Sequence, residues 1–463
     1  MDHLIETLSA DELSQLYEKK ELSPVETVKC LLGRIEEKQA EYNSFITVTA
    51  EQALQAAVES EKRIMSGKRK SVLDGIPYGA KDILYTKGIR TTFGCGIYKD
   101  FVPDYNAYVI DCLNRDGAIM MGKLNTHMLA NSCTGDRSYF GAVRNPHDKQ
   151  RITGGSSSGP AAALAARLVP LALGSDTGAS IRLPAALCGV TGMKPTHGRV
   201  SLYGCLAVSS QVDHIGPMSR TVKDNALMLS CISGYDSRDI YSAERPVPDY
   251  VEYIGRDIKD TVIGVPWKYF ADNTDKEILE IFLETVQIYK DMGAKIVDIV
   301  YPDLSEYRKA QMKQLHCDAY VEREKDIVEH PEMIDDELMA RYNTGHCTGF
   351  EYVKTRKAKE KFYYLMSTLF KDIDVMMMPS TLAAAVKLQE REVTVNGKNV
   401  FIYGPYTDNL WMFDFCGFPA LSLPNGFTKG GLPTGVQLAA TPWQEGEIYR
   451  FAYQLENALR LNV

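Results

Sequence analysis

Two clusters of serine and glycine, at the two ends of one stretch of this 463-residue chain, have the residue types that acyl transfer requires. The stretch reads GGSSSGPAAALAARLVPLALGSDTGAS and runs from Gly154 to Ser180, with an almost wholly apolar insert between the clusters. Acyl transfer needs a hydroxyl nucleophile, a base that takes its proton, and backbone amides that face the developing oxyanion. The second cluster offers a terminal serine and successive amides in a glycine-containing turn, so it predicts the nucleophile and the oxyanion site.

The base is the part that this stretch does not supply. The chain has eight histidines, but none lies in a context that marks it as catalytic. A lysine can serve instead where burial lowers its pKa, because desolvation disfavours the ammonium form. Lys81 lies in such a largely apolar, glycine-bearing segment, VLDGIPYGAKDIL. Without the other motifs, Lys81 could equally be a lysine whose aliphatic chain is buried while its amine reaches solvent.

Three motifs in register resemble those of the amidase signature enzymes. They are GIPYGAKDI around Lys81, GGSSSG around Ser156, and GSDTGASIRLPAALCGVTGMKPTHGRVS around Ser180. Ser156 follows Lys81 by 75 residues and Ser180 follows Ser156 by 24, as in the family pattern. The resemblance extends over most of the chain and is weakest between about residues 240 and 350.

The resemblance implies a catalytic unit of two serines and a lysine. Ser180 is then the nucleophile, Ser156 the bridging serine after a cis peptide bond from Gly155, and Lys81 the ultimate base. The oxyanion hole would be formed by the backbone amides of Thr177, Gly178, Ala179 and Ser180.

Three residues beside these motifs each have two interpretations. Asp176 and Arg182 flank the nucleophile, where they could fix its loop or form a plain structural salt bridge. Ser157 could steady Lys81 or only cap the helix that follows it. The sequence leaves these alternatives open.

Substrate contacts are expected in segments that vary within the family. Arg341 could bind a substrate carboxylate. Two positions depart from the family pattern: Ala179 stands where glycine is usual, and Met128 where many members carry an acidic residue. The substrate-binding candidates are Asn131, Ser132, Cys133, Thr134 and Arg341.

Two further motifs are better explained by structural roles than by nucleotide or metal binding. GAIMMGKL, at residues 117–124, fits G-x-x-x-x-G-K, but Leu124 stands where a nucleotide-binding P-loop needs serine or threonine. His127 has no acidic or histidine partner at metal-ligand spacing, so we expect a structural histidine. The sequence predicts no metal and no other cofactor.

Helices alternating with short buried strands are predicted to position these residues. Ser9 with Glu12, Ser23 with Glu26, and Thr274 with Glu277 have the spacing of helix-capping boxes, and Pro24 suits a first helical position. Asn396-Gly397 between alternating residues predicts a two-residue hairpin turn. The apolar runs that predict buried strands are AIMMG (118–122), LALG (171–174), TVIGVP (261–266), DVMMMP (374–379) and ALSLP (420–424).

Together, the pattern and the resemblance predict an α/β fold. We expect one large α/β/α domain over residues 1–463, with a mixed, mostly parallel central sheet and helices on both faces. An N-terminal helical segment, about residues 1–70, would pack on it.

Composition narrows the class of protein. With 60 acidic and 52 basic residues the formal net charge is −8, which argues against direct nucleic-acid binding through phosphate neutralisation. No run of eighteen apolar residues or signal peptide is evident, so neither membrane insertion nor export is expected. The ten cysteines include no C-x-x-C pair, and a cytoplasmic location fits best.

The sequence thus favours an amidohydrolase that cleaves a small-molecule amide through a serine acyl-enzyme, alone or as a homodimer. The alternative is the glutamine-hydrolysing A component of a Glu-tRNA(Gln)/Asp-tRNA(Asn) amidotransferase, which would require a partner subunit. The segment KDILYTKGIRTTFGCGIYKDFVPDYNAYVIDCL resembles that component, whereas the C-terminal third is closer to stand-alone amidases.

Overall fold

An eleven-stranded sheet forms the centre of the protein. The computed structural model describes residues 2–459, and within them the sheet has the strand order β1-β3-β2-β4-β6-β5-β12-β13-β9-β7-β8. A separate hairpin consists of β10 and β11. The strands are β1 (Phe45–Val48), β2 (Pro77–Lys81), β3 (Ile119–Leu124), β4 (Leu171–Asp176), β5 (Thr191–Lys194), β6 (His214–Ser219), β7 (Val262–Val265), β8 (Lys295–Asp298), β9 (Val375–Pro379), β10 (Glu392–Val395), β11 (Lys398–Phe401), β12 (Ala420–Phe427) and β13 (Pro433–Ala439).

Helices cover both faces of this sheet. Leu171 and Leu173 of β4 join one hydrophobic cluster, while Ala172 between them joins another, as expected when alternate side chains point to opposite faces. Helices α5, α8 and α16 contribute to the first cluster, and α3, α4 and α6 to the second. The helices are α1 (Asp2–Ile5), α2 (Ala10–Glu18), α3 (Pro24–Tyr42), α4 (Ala50–Met65), α5 (Tyr108–Asp116), α6 (Ser158–Ala165), α7 (Arg182–Cys188), α8 (Val222–Ile232), α9 (Trp267–Phe270), α10 (Lys276–Asp291), α11 (Ser305–Glu329), α12 (Asp336–Tyr342), α13 (Gly349–Leu369), α14 (Tyr403–Thr407), α15 (Trp411–Cys416) and α16 (Glu445–Leu459).

The sheet is mixed, as predicted, but the expectation that it is mostly parallel is wrong. Four of its ten strand pairings are parallel and six are antiparallel. Because helices bury both faces, antiparallel strands such as β6 are as continuously buried as parallel ones. An apolar run therefore predicts a buried strand without giving its direction.

All five apolar runs form strands, and the predicted hairpin is present. Val395 pairs with Lys398 across the Asn396-Gly397 turn, and both turn residues have the positive φ angles that such a turn requires.

Two of the three predicted capping boxes are confirmed. Ser9 and Ser23 each accept a hydrogen bond from the amide three residues later, and Glu12 and Glu26 bond back. The Thr274 box is wrong, because the hydroxyl of Thr274 donates to the carbonyl of Phe270. Helix α10 is capped one residue later, by Asp275.

The N-terminal segment is helical, as expected, but it also supplies one edge strand of the sheet. β1 lies between α3 and α4 and pairs antiparallel with β3. Among the helices within residues 2–459, none has the length and apolar character needed to cross a membrane.

Candidate active site

Lys81 ends strand β2, an inner strand of the sheet between β3 and β4. Its side chain has no exposed surface, and its Nζ atom lies within hydrogen-bonding distance of three hydroxyl groups. These are Oγ of Ser156 at 2.7 Å, Ser157 at 3.0 Å and Ser175 at 2.9 Å. Burial lowers the pKa of Lys81 to about 7, so its neutral amine is well populated near neutral pH.

The serine cluster beside Lys81 lies in the turn that precedes α6. The peptide bond between Gly155 and Ser156 is cis. A Cβ atom at Gly155 would lie 2.8 Å from the amide nitrogen of Gly135, so only glycine fits this close approach.

Ser157 contacts the lysine and does not cap the helix. Its hydroxyl accepts from Lys81 and donates to the carbonyl of Ser175, and no side-chain capping bond forms at the start of α6. Of the two interpretations of Ser157, the structure thus favours the one in which it steadies the lysine.

Ser180 lies between the end of β4 and α7 and lines a cavity of about 550 Å³. Its carbonyl accepts a hydrogen bond from the amide of Ser157, at 3.2 Å. This contact brings Ser180 next to the Lys81–Ser156 pair.

The loop before Ser180 has three amides available for an oxyanion. The backbone amides of Thr177, Gly178 and Ala179 donate to no protein acceptor within the described residues, and all three residues line the cavity. The amide of Ser180 was expected to join them, but it donates to the Asp176 carboxylate at 2.8 Å. Because that donor is already occupied, the expectation for the Ser180 amide is wrong in this conformation.

Asp176 and Arg182 form a fully buried ion pair, with Arg182 Nε 2.9 Å from Asp176 Oδ2. Asp176 also accepts from the amides of Ser180 and Ile181, so the pair fixes the loop as well as stabilising the core. Burial alone would raise the pKa of Asp176, but the charge of Arg182 and the hydrogen bonds keep it below its usual range. Arg182 also pairs with Asp414.

Four of the five substrate-binding candidates line the cavity: Asn131, Ser132, Cys133 and Arg341. Thr134 does not, and that expectation is wrong. Its side chain is fully buried, and its hydroxyl donates to Asp136 at 2.6 Å.

The P-loop-like sequence and His127 both make contacts within the protein core, as expected for structural roles. Lys123, the lysine of the P-loop-like sequence, forms a buried pair with Asp82 at 3.2 Å. His127 accepts a hydrogen bond from the amide of Gly135, and burial lowers its pKa to about 3, so it is neutral.

Met128, one of the two departures from the family pattern, accepts a hydrogen bond on its sulfur from the amide of Asp335. In the described part of the chain, no three His, Cys, Asp or Glu residues cluster as metal ligands would.

Sequence reasoning missed several residues around this site. Ser175 is the third hydroxyl on Lys81, and its position in the same GSDTGAS cluster was the available signal. Asp213 accepts from the hydroxyl of Thr177 at 2.7 Å and so anchors the first residue of the amide loop. Arg308 and Gln311 of α11 line the cavity from a part of the chain in which no motif was recognised.

Comparison with known proteins identifies similar chains. A family model described as Amidase matches residues 26–449. The A component of the glutamyl-tRNA(Gln) amidotransferase of Geobacter sp. strain M21 is 36% identical over 475 residues, which cover 97% of this chain and 96% of that protein.

Two solved structures share the fold over nearly the whole chain. One is a chain of the vestigial protein complex that reveals the evolutionary origins of an s-triazine catabolic enzyme, with a TM-score of 0.92 and 28% identity, covering 97% of this chain and 98% of that one. The other is the A component of the glutamyl-tRNA(Gln) amidotransferase of Thermotoga maritima, with a TM-score of 0.82 and 27% identity, covering 98% and 95%.

Proposed function

This chain belongs to the amidase family, and from that premise we propose that it hydrolyses a carboxamide C–N bond through an acyl-enzyme on Ser180. The observation that carries the proposal is the 2.7 Å contact between Lys81 Nζ and Ser156 Oγ. Complete burial supports a neutral amine at Lys81, which can act as a base at physiological pH.

In the first half-reaction, Lys81 takes the proton of Ser156 while Ser156 takes the proton of Ser180. The freed Ser180 oxygen attacks the amide carbon, and the amides of Thr177, Gly178 and Ala179 stabilise the negative charge on the carbonyl oxygen. When the C–N bond breaks, the proton returns through Ser156 to the leaving nitrogen. The products of this step are a free amine or ammonia and an ester of Ser180.

In the second half-reaction, water attacks the ester by the same proton path. The water proton passes through Ser156 to Lys81 and then to Ser180 as the C–O bond breaks, which releases a carboxylic acid and restores the enzyme.

A second candidate is a glutamine-hydrolysing component that supplies ammonia to a partner. The names of the relatives favour it, since proteins named as the A component of glutamyl-tRNA(Gln) amidotransferase are 34% to 37% identical over almost their whole length. Under this candidate the same Ser180 chemistry would act on glutamine, and a partner subunit would be required for full activity.

We infer a cytoplasmic enzyme that acts on a small-molecule amide, as a monomer or homodimer, without contacting nucleic acid itself. The acidic net charge of −8 supports the last point.

A serine-reactive fluorophosphonate tests the acyl-enzyme. We expect the purified protein to be labelled on Ser180, as mapped by peptide mass spectrometry, and to release ammonia or amine from simple amides. Ser180→Ala should abolish labelling, and Lys81→Met should slow it by several orders of magnitude. Label on a different residue, or equal labelling of Lys81→Met, would contradict the proposal.

Ammonia release from glutamine separates the two candidates. A free amidase turns over its substrate without any partner. Turnover of glutamine that appears only when a second protein component is added would support the amidotransferase candidate.

A further inference from the structure

Two arginines of the cavity, Arg308 and Arg341, form no ion pair within the part of the chain that the structure describes. Both line the same cavity as Ser180. Both side chains are half-buried and hydrogen-bond to no carboxylate, although the charge of Asp408 also acts on Arg308. A partly desolvated guanidinium group of this kind favours a ligand that brings an anion to it.

Arg341, in α12, has only neutral partners. Its Nη1 donates to the carbonyl of Asn131 at 2.7 Å and its Nη2 to the hydroxyl of Ser132 at 3.2 Å. The guanidinium carbon lies 4.5 Å from the ring centre of Tyr403. These contacts hold the group rigidly at the cavity wall without neutralising its charge.

Arg308, in α11, also has only neutral hydrogen-bond acceptors. Its Nη2 donates to the hydroxyl of Thr407 at 2.6 Å and its Nη1 to Gln311 Oε1 at 3.1 Å. A Cβ atom at Gly178 would lie 3.8 Å from Gln311 Nε2, so Gln311 lies close to the amide loop beside Ser180.

Among the described residues, the only acid that lines the cavity is Glu337, and it is already paired. It accepts from Arg137 at 2.8 Å and from Arg391 at 3.0 Å. Three arginines and one glutamate thus line the cavity, which has an excess of positive charge and no free carboxylate.

We propose that the substrate is an acidic amide, bearing at least one carboxylate and no ammonium group, of which the monoamide of a dicarboxylic acid is the simplest form. This inference rests on the proposed function and specifies the substrate of the same site. The planar guanidinium groups match a carboxylate with two parallel hydrogen bonds. An ammonium group, such as that of glutamine, would find no unpaired acid in the cavity.

Three amides of similar length test the charge preference. Glutaramate has the chain of glutamine without its ammonium group, and pentanamide lacks both charges. We expect kcat/KM for glutaramate to exceed that for glutamine and for pentanamide by about 10-fold or more, as expected for a charge-assisted contact. Glutamine or pentanamide hydrolysed as well as glutaramate would overturn the inference.

Variants then assign the preference to the two arginines. Arg308→Gln and Arg341→Gln should each reduce the ratio of kcat/KM for glutaramate over pentanamide by about 10-fold, mainly through KM. Arg256→Gln is the matched control, because Arg256 donates to the carbonyl of Glu252 on the surface and should leave the ratio unchanged. Unchanged ratios in both cavity variants would contradict the assignment.

Protection by glutarate provides a readout that does not need turnover. The dicarboxylate should slow fluorophosphonate labelling of Ser180 in the wild-type protein, and less in either cavity variant. If Ser180 is labelled but glutarate does not protect it and glutaramate is not hydrolysed, the inference is wrong while the proposed function stands. If Ser180 is not labelled and no amide is hydrolysed, the proposed function itself fails.

Discussion

The hydroxyl of Ser175 lies 2.9 Å from Lys81 Nζ, although 94 residues separate them in the chain. β2 and β4 are parallel neighbours, so the carboxyl ends of both strands reach the same edge of the sheet. With Ser156 and Ser157, this hydroxyl gives the amine three oxygen neighbours. An ammonium ion can donate to all three at once, whereas a neutral amine can donate to only two.

Replacing Ser175 should therefore change the titration of Lys81. In Ser175→Ala the ammonium form loses an acceptor, so the pKa of Lys81 falls and the acidic limb of the kcat/KM profile moves to lower pH. We also expect kcat/KM at pH 8 to fall by about 5-fold. A loss of activity without movement of the limb would mean that Ser175 only packs the site, and Ser175→Thr, which keeps the hydroxyl, should restore the limb.

The wild-type enzyme should lose activity in acid. Burial lowers the pKa of Lys81 to about 7, and in the proposed mechanism the active form is the neutral amine. As the pH falls through 7 the amine is protonated, so kcat/KM should decrease about tenfold per pH unit below that point and level off above it. Initial rates between pH 5 and 9 in a constant-ionic-strength buffer measure this, and a flat profile would rule out the lysine base.

Arg182→Met should destabilise the fold strongly. It leaves the carboxylates of Asp176 and Asp414 buried without their partner, at a cost of about 3–5 kcal/mol in the free energy of unfolding. Urea unfolding measures the change. Arg115→Met is the control, because Arg115 is 63% exposed beside Asp116 and should cost less than about 1 kcal/mol. Equal effects of the two substitutions would contradict the importance of the buried pair.

Gly178→Ala should lower activity while leaving stability almost unchanged. A Cβ atom at Gly178 meets only Gln311, at an ordinary contact distance, so the free energy of unfolding should change by less than about 1 kcal/mol. The methyl group would nevertheless stand at the amide loop, and kcat/KM should fall by about 10- to 100-fold.

The control for that prediction is Gly33→Ala in α3, where a Cβ atom meets nothing within 4 Å. It should stabilise the helix by about 1 kcal/mol and leave activity unchanged. If Gly178→Ala were as active as Gly33→Ala, the loop amides would not bind the oxyanion.

Local sequence patterns predicted features that depend on a few consecutive residues. The resemblance that selected Ser156 and Ser180 rests on short motifs, and the hairpin at Asn396-Gly397 depends on two adjacent residues. Each of these patterns is decided by a few consecutive residues, so the sequence displays them directly.

Contacts between distant segments could not be predicted in this way. Arg308 reaches the cavity from α11 and bonds to Thr407, 99 residues later, and no local pattern marks either residue. The Ser180 amide was misassigned for a similar reason, because the motif does not reveal that the Asp176 side chain folds back onto it. Strand direction was also hidden, since both faces of the sheet are buried.

The activity should depend on the register of β2 against β4. Successive side chains of a strand point to opposite faces, so a shift of β2 by one residue would turn Lys81 away from the serines. A misaligned sheet would retain its hydrogen-bonded backbone and its circular dichroism signal while being catalytically silent. With Lys81 as the proposed base, hydrolytic turnover per mole of protein would report the fraction of molecules whose central strands are correctly aligned, which a spectroscopic measure of sheet content does not distinguish.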